Sequence, residues 1–175
     1  HHYRGKDYTD SLTIRHLLGQ TSGLPDYFLD RTSAGKNVLD RLMSEGDREW
    51  TLEDVAQLTR NELPAHFPPS SPEETNAPGR AHYSDTNYML LGAIIESVAE
   101  KPFHELCREL LFEPLGLDHT YLYGSPRTAA SKEPAQMFYR DQPLSIPRFM
   151  SSHGPDGGIV STVADTLRFG RAFMS

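Results

Sequence analysis

The sequence of 175 residues contains one cysteine, Cys107. An intrachain disulfide is thereby excluded, and so is a metal cluster built on thiolates. Cys107 falls at an apolar helical position beside Leu106 and Leu110, which reads as a buried structural thiol. No apolar run reaches the length of a membrane-spanning helix, and no signal-peptide pattern is legible at the start. A basic stripe with interleaved aromatics is also missing. Asp and Glu outnumber Lys and Arg by 24 to 17, for a formal net charge of −7, and nucleic acid is not expected as a partner. Of eight histidines only His1 and His2 are neighbours, and no His-Glu-x-x-His spacing occurs. No metal and no cofactor are therefore expected. Internal repeats are absent. Strand-forming runs are scarce: Tyr121 to Tyr123 and Ile159-Val160 are too short to anchor a sheet.

What the chain does have is helix punctuation. Thr13 precedes Ile14, Leu17 and Leu18, and Gly19 closes a short helix. Asn37 opens an apolar set of Val38, Leu39, Leu42 and Met43. Thr51 with Asp54 resembles a capping box before Val55 and Leu58, and Pro64 stops that helix. The strongest pattern runs from about Thr86 to Val98. Its apolar set of Leu90, Leu91, Ala93, Ile94, Ile95 and Val98 is wide enough to imply burial on more than one side. Pro102 starts another helix through Phe103, Leu106, Cys107, Leu110 and Leu111. Thr162 with Asp165 repeats the capping logic ahead of Leu167, Phe169 and Phe173. Two long irregular stretches remain. One, from Pro64 to His82, includes Pro68, Pro69, Pro72 and Pro78; the other runs from Gly124 to Gly158. Loops of this length are usually functional or disordered.

The most informative segment is Pro78-Gly79-Arg80-Ala81-His82-Tyr83-Ser84-Asp85-Thr86-Asn87-Tyr88-Met89-Leu90-Leu91-Gly92. It places a phenol at the head of an apolar helix, where backbone N–H groups and the helix dipole favour an ionised or hydrogen-bonded oxygen. Two readings stay open from local chemistry: Tyr83 as a proton carrier, or a packing tyrosine ahead of an N-cap at Ser84 or Asp85.

Four ordered blocks carry a resemblance. They are Leu12-Thr13-Ile14-Arg15-His16-Leu17-Leu18-Gly19-Gln20-Thr21-Ser22-Gly23-Leu24-Pro25; Pro78 through Gly92; Phe112-Glu113-Pro114-Leu115-Gly116-Leu117 with Thr120; and Gly157-Gly158-Ile159-Val160-Ser161-Thr162 with Asp165 and Phe169. Together they resemble the serine β-lactamase and penicillin-recognising superfamily, on the branch of class C β-lactamases, esterases and D-alanyl-D-alanine carboxypeptidases. The resemblance implies acyl transfer from a β-lactam, D-peptide or ester to a serine of a Ser-x-x-Lys motif, followed by hydrolysis. It identifies Tyr83 as the catalytic tyrosine, with Asp85 standing where the commoner motif has Asn. An ionised carboxylate accepts hydrogen bonds but cannot donate as an amide does. Ser84, Tyr27 and His153 are implied as substrate contacts, with Asp26 and the proline-rich loop at the entrance. His82 and His153 read more simply as solvated loop histidines, and Ser22 as a structural turn. Gly157-Gly158 reads as a tight turn.

The nucleophile does not fit. Only Ser33-Ala34-Gly35-Lys36 satisfies Ser-x-x-Lys. It follows the Thr13 to Pro25 block instead of preceding it, and Gly35 weakens any helix there. No Lys-Thr-Gly, Lys-Ser-Gly or His-x-Gly occurs. The expectation is a mainly α chain with long loops and at most a few short strands. It would be a single helical domain over residues 1–175, taken from a β-lactamase/transpeptidase-like α/β fold. The α/β domain of the same polypeptide would be its partner, alongside a small-molecule or peptide substrate. The chain alone would then be inactive. The alternative from another class is a non-catalytic binding or regulatory domain that keeps the fold.

Overall fold

The computed structural model describes residues 1–70 and 81–174. Pro72 and the Pro78-Gly79-Arg80 start of the tyrosine block lie outside the described residues. The chain divides into two compact units. The first comprises His1–Gly46 and Trp50–Ile94, the second Asp47–Glu49 and Ile95–Ser175.

The first unit opens on a small hairpin, β1 (His2–Tyr3) with β2 (Lys6–Asp7), followed by helices α1 (Ile14–Leu18), α2 (Val38–Glu45) and α3 (Leu52–Asn61). Each helix starts where its cap predicts. Thr13, Asn37 and Thr51 accept from the backbone of His16, Asp40 and Asp54, whose side chains bond back to the cap N–H. Each such box satisfies two backbone donors that the helix itself cannot. Leu17, Leu24 and Leu91 form one buried cluster, flanked by Leu12, Tyr88, Leu90 and Ile94. Tyr27, Val38, Leu42, Trp50, Val55 and Leu58 are also buried. Each such side chain contributes about 1.5–3 kcal/mol relative to exposure.

Helix α4 (Asp85–Ala99) corrects the expectation drawn from its apolar residues. Its buried residues are Asp85, Thr86, Asn87, Met89, Leu91 and Gly92, whereas Ile95 and Val98 are exposed. The polar first turn, not the apolar end, is the enclosed part of the helix.

In the second unit α5 (Phe103–Cys107) follows Pro102, and the Phe103 N–H donates to Glu96 Oε1 at 2.7 Å. Proline has no N–H to satisfy and no side chain to cap with, so Glu96 caps the following residue from a distance. A π-helical turn over Arg108–Phe112 continues α5. Cys107, Phe112, Leu117 and Leu122 pack together against Phe103 and Leu115, and burial holds the Cys107 thiol above its ordinary pKa. The two short runs noted in the sequence pair with each other, β3 (Tyr121–Leu122) antiparallel to β6 (Ile159–Val160). The stretch from Gly124 to Gly158 is less irregular than expected. It contains a hairpin of β4 (Met137–Tyr139) and β5 (Gln142–Leu144), and helix α6 (Pro147–Ser152). The α6 start is capped by Asp47, whose two carboxylate oxygens accept from Arg148 N and Phe149 N. That partner is about a hundred residues away in sequence, which is why the helix is not legible locally. The chain ends on α7 (Val163–Met174).

Candidate active site

Tyr83 stands two residues ahead of Asp85, the first residue of α4, and its ring is 60% exposed. Its phenol donates to Asp85 Oδ1 at 2.8 Å. Behind it lies a dense polar network within the first unit. Ser84, Thr86 and Asn87 are buried, so their polar atoms need protein partners. The partners come from the segment after α1. The Ser84 hydroxyl donates to Pro25 O at 2.9 Å and the Thr86 hydroxyl to the same oxygen at 2.7 Å. Thr86 Oγ1 in turn accepts from Tyr27 N. Ser22 Oγ donates to Asn87 Oδ1 at 2.6 Å and accepts from Leu24 N. Gln20 Oε1 accepts from both Ser84 N and Asn87 Nδ2.

Two backbone positions make this approach possible. Gln20 adopts a left-handed φ of 57°, which turns the chain after α1. Gly23 has φ 72°, and a Cβ there would lie 2.0 Å from Phe67 O. Only glycine fits both the angle and the contact. The segment 66–70 runs beside it, with His66 N donating to Gly23 O and Ser70 N to Thr21 O.

Asp26 is the electrostatic feature of the site. It is 1% exposed, and Oδ1 accepts from Phe28 N at 2.8 Å and Leu29 N at 3.3 Å. Oδ2 is buried with no hydrogen-bond partner among the described residues. Burial pushes this carboxyl up to about 6 against the Phe28 N–H bond, with the Asp85 charge adding to the rise.

The expected site residues are therefore distributed unevenly. Tyr83, Ser84 and Asp85 are brought together at the head of α4, and only Tyr83 among them reaches solvent. Tyr27, expected as a substrate contact, is 0% exposed in this structure, with its ring 6.4 Å from that of Trp50. Ser84 is likewise 0% exposed, so its role in this structure is to hold Pro25. His153 is in the second unit and is not a solvated loop residue. It is 8% exposed, its ring 4.1 Å from Phe149 and Nε2 3.8 Å from Asp156 Oδ2. The turn around it needs Gly158, where a Cβ would meet His153 O at 1.6 Å. Ser33 and Lys36 lie in a tight turn, with Thr32 N bonded to Lys36 O, Gly35 N to Thr32 O, and Gly35 at φ 76°. A serine and lysine one helical turn apart are not presented there. Sequence reasoning passed over Gln20 and Asn87 as site-builders. Their signal is faint: one polar side chain at the foot of α1 and one in the first turn of an apolar helix.

A family model described as Beta-lactamase matches residues 1–174. The chain belongs to the beta-lactamase family. Among curated relatives, Penicillin-binding protein 4* of Bacillus subtilis (strain 168) is 29% identical over 120 residues, covering 64% of this chain and 21% of the relative. A putative D-alanyl-D-alanine carboxypeptidase of Salmonella newport (strain SL254) is 32% identical over 111 residues, covering 63% of this chain and 22% of the relative. The match thus spans about a fifth of the length of these relatives. Among solved structures, a penicillin binding protein from Bacillus halodurans aligns with TM-score 0.66 and 25% identity, over 96% of this chain and 49% of the other. A D-stereospecific amidohydrolase from Streptomyces sp. aligns with TM-score 0.70 at 22% identity, over 99% and 49%. The helix-rich chain with few short strands thus shares its fold with beta-lactamase-like proteins, in a family of serine hydrolases.

Proposed function

We propose that this chain forms the tyrosine-bearing wall of a serine acyl-transfer site, with Tyr83 as the proton shuttle and Asp85 as its partner. The observation that carries the reading is the exposed phenol at the head of α4, bonded at 2.8 Å to a buried carboxylate. The side chains behind it are enclosed and hydrogen-bonded, so the backbone that carries Tyr83 is held in place while its phenol stays accessible. A donor phenol in that position is set to hand its proton to a leaving group as the acyl–enzyme forms. The serine and lysine of the reaction belong, in this reading, to an α/β domain of the same polypeptide, since the Ser33 turn does not present them. The exposed apolar residues of α7, among them Leu167, Phe173 and Met174, support a larger assembly. The substrate is a β-lactam, a D-peptide or an ester, in keeping with relatives named for penicillin binding and for D-alanyl-D-alanine.

The test is acyl–enzyme capture. The full-length polypeptide treated with a penicillin or a D-alanyl-D-alanine peptide is expected to gain the mass of the acyl group. The 175-residue chain alone is expected to gain none and to leave nitrocefin and p-nitrophenyl esters intact. Turnover by the isolated chain that Ser33→Ala abolishes would overturn the assignment. No adduct on the full-length protein would favour a binding domain that has kept the fold.

A further inference from the structure

Asp30, His66 and His82 are far apart in sequence, yet in the first unit each offers one ligand atom within 4.8 Å of the other two. His66 Nε2 is 2.6 Å from Asp30 Oδ2, and His82 Nε2 is 3.5 Å from the same oxygen. The imidazole rings lie 3.6 Å apart between centroids, tilted by 33°. Each backbone is anchored separately. His66 N donates to Gly23 O, His82 N to Gln20 O, and Asp30 N to Asp26 O. The cluster is therefore fixed by the same 20–26 segment that supports Tyr83.

A purely hydrogen-bonded triad accounts for part of this geometry and leaves one atom over. Asp30 Oδ2 already accepts from Asp26 N at 2.9 Å and bonds His66. His82 Nε2 is buried and makes no hydrogen bond among the described residues; at 3.5 Å it reaches ion-pair distance to Asp30 only.

We propose that Asp30, His66 and His82 form a binding site for a zinc-type divalent cation. Two imidazole nitrogens and one carboxylate oxygen are a borderline donor set suited to zinc, which takes water as its fourth ligand at such three-ligand sites. Bonds of about 2.0–2.1 Å at tetrahedral angles put ligand atoms about 3.3 Å apart. The observed separations bracket that value, so small side-chain rotations would close the site. The Asp26 N–H stays on Asp30 Oδ2 as the orienting bond such ligands usually have. The ion would tie the Asp26–Asp30 turn and the segment carrying His66 to the residue immediately before Tyr83. This site is independent of the acyl-transfer reading and stands or falls by itself.

The experiment is calorimetric titration of Zn²⁺ into chelator-treated protein near neutral pH. One ion per chain is expected, with affinity falling by at least about 10- to 100-fold in His66→Ala. His66 is exposed, so the substitution leaves the core in place, and circular dichroism checks the fold. Binding in a His1→Ala/His2→Ala variant should be unchanged, which separates the site from the paired histidines at the start. In the unsubstituted chain, Co²⁺ should give visible d–d absorption of low-symmetry nitrogen and oxygen ligation, and Zn²⁺ should shift the ring signals of His66 and His82. Absence of binding, affinity unchanged in His66→Ala, loss with His1 and His2, or ring shifts elsewhere would each overturn the proposal.

Discussion

Both units bury an aspartate in the first turn of a helix, yet the two aspartates are set in different company. In the second unit Asp165, 1% exposed, has both oxygens engaged. Oδ2 accepts from His119 N and the Thr120 hydroxyl at 2.9 and 3.0 Å, and Oδ1 pairs with Arg168 at 3.1 Å. Its own N–H donates to Thr162 Oγ1, and Thr120 meets Ser161. In the first unit Asp85 accepts a hydrogen bond from an exposed phenol, and the nearby Asp26 keeps an oxygen buried with no hydrogen-bond partner among the described residues. A polar cluster closed on itself is a staple. One that leaves an atom unsatisfied and another aimed at solvent is the kind of local inconsistency that function requires.

That contrast can be broken by experiment, and the largest effect should come from Tyr83. Under the proposed function, Tyr83→Phe in the full-length polypeptide is expected to lower kcat by roughly 10²–10⁴, the usual worth of general acid–base catalysis. Folding of the chain should weaken by about 1 kcal/mol, the worth of the lost hydrogen bond to the buried Asp85 carboxylate, since the ring itself is mostly exposed. An unchanged kcat would take Tyr83 out of the mechanism.

Asp165→Ala should do the reverse, and urea unfolding of the chain measures it. Removing the carboxylate strands the His119 N–H, the Thr120 hydroxyl and one end of Arg168, at a cost of about 3 kcal/mol. A loss below about 1 kcal/mol would mean that the cluster is not the staple described. Gly23→Ala belongs beside it in the first unit. With a Cβ 2.0 Å from a carbonyl oxygen and a left-handed φ, the substitution should destabilise by about 2 kcal/mol or more.

Asp26 gives an effect confined to a pH window, with a defined sign. Its folded pKa of about 6 lies above the ordinary 3.8, so between these values the native state holds more protons than the unfolded chain. Stability then falls as pH rises from about 4 to about 6 and levels off above that, by up to about 3 kcal/mol. Denaturant midpoints across this range should show the slope in the wild type, and Asp26→Asn should flatten it. A wild-type chain whose stability does not fall over that interval would show that Asp26 ionises normally. The smallest effect is expected at the far end of α4, where Val98→Ser at an 81% exposed position should change stability by no more than about 0.5 kcal/mol.

The helix starts were legible because a cap is a local bargain between residues three apart, as at Thr13, Asn37 and Thr51. The pairing of Tyr121-Leu122 with Ile159-Val160 was visible only as two orphan runs, because a strand's partner is not written next to it. Helix α6 was hidden for the same reason, its cap being Asp47. The apolar stripe of α4 misled because periodicity says which faces are greasy, not which end of a helix the rest of the chain covers. Among site residues, Tyr83 and Asp85 stood out through their place in a motif. That Tyr27 and His153 are buried was not legible, because enclosure depends on residues distant in sequence.

By itself, then, the sequence determined the family, the starts of the locally capped helices and the residue at the head of α4, because motifs, caps and turn chemistry act over a few neighbouring positions. Only the tertiary structure decided that Ser84 and Asn87 are enclosed by Gln20, Ser22 and Pro25, and that Asp26 keeps a raised pKa. It alone brought Asp30, His66 and His82 to one point. Burial, electrostatic coupling and ligand geometry depend on distances in space, and those exist only once residues sixty positions apart have been folded against each other.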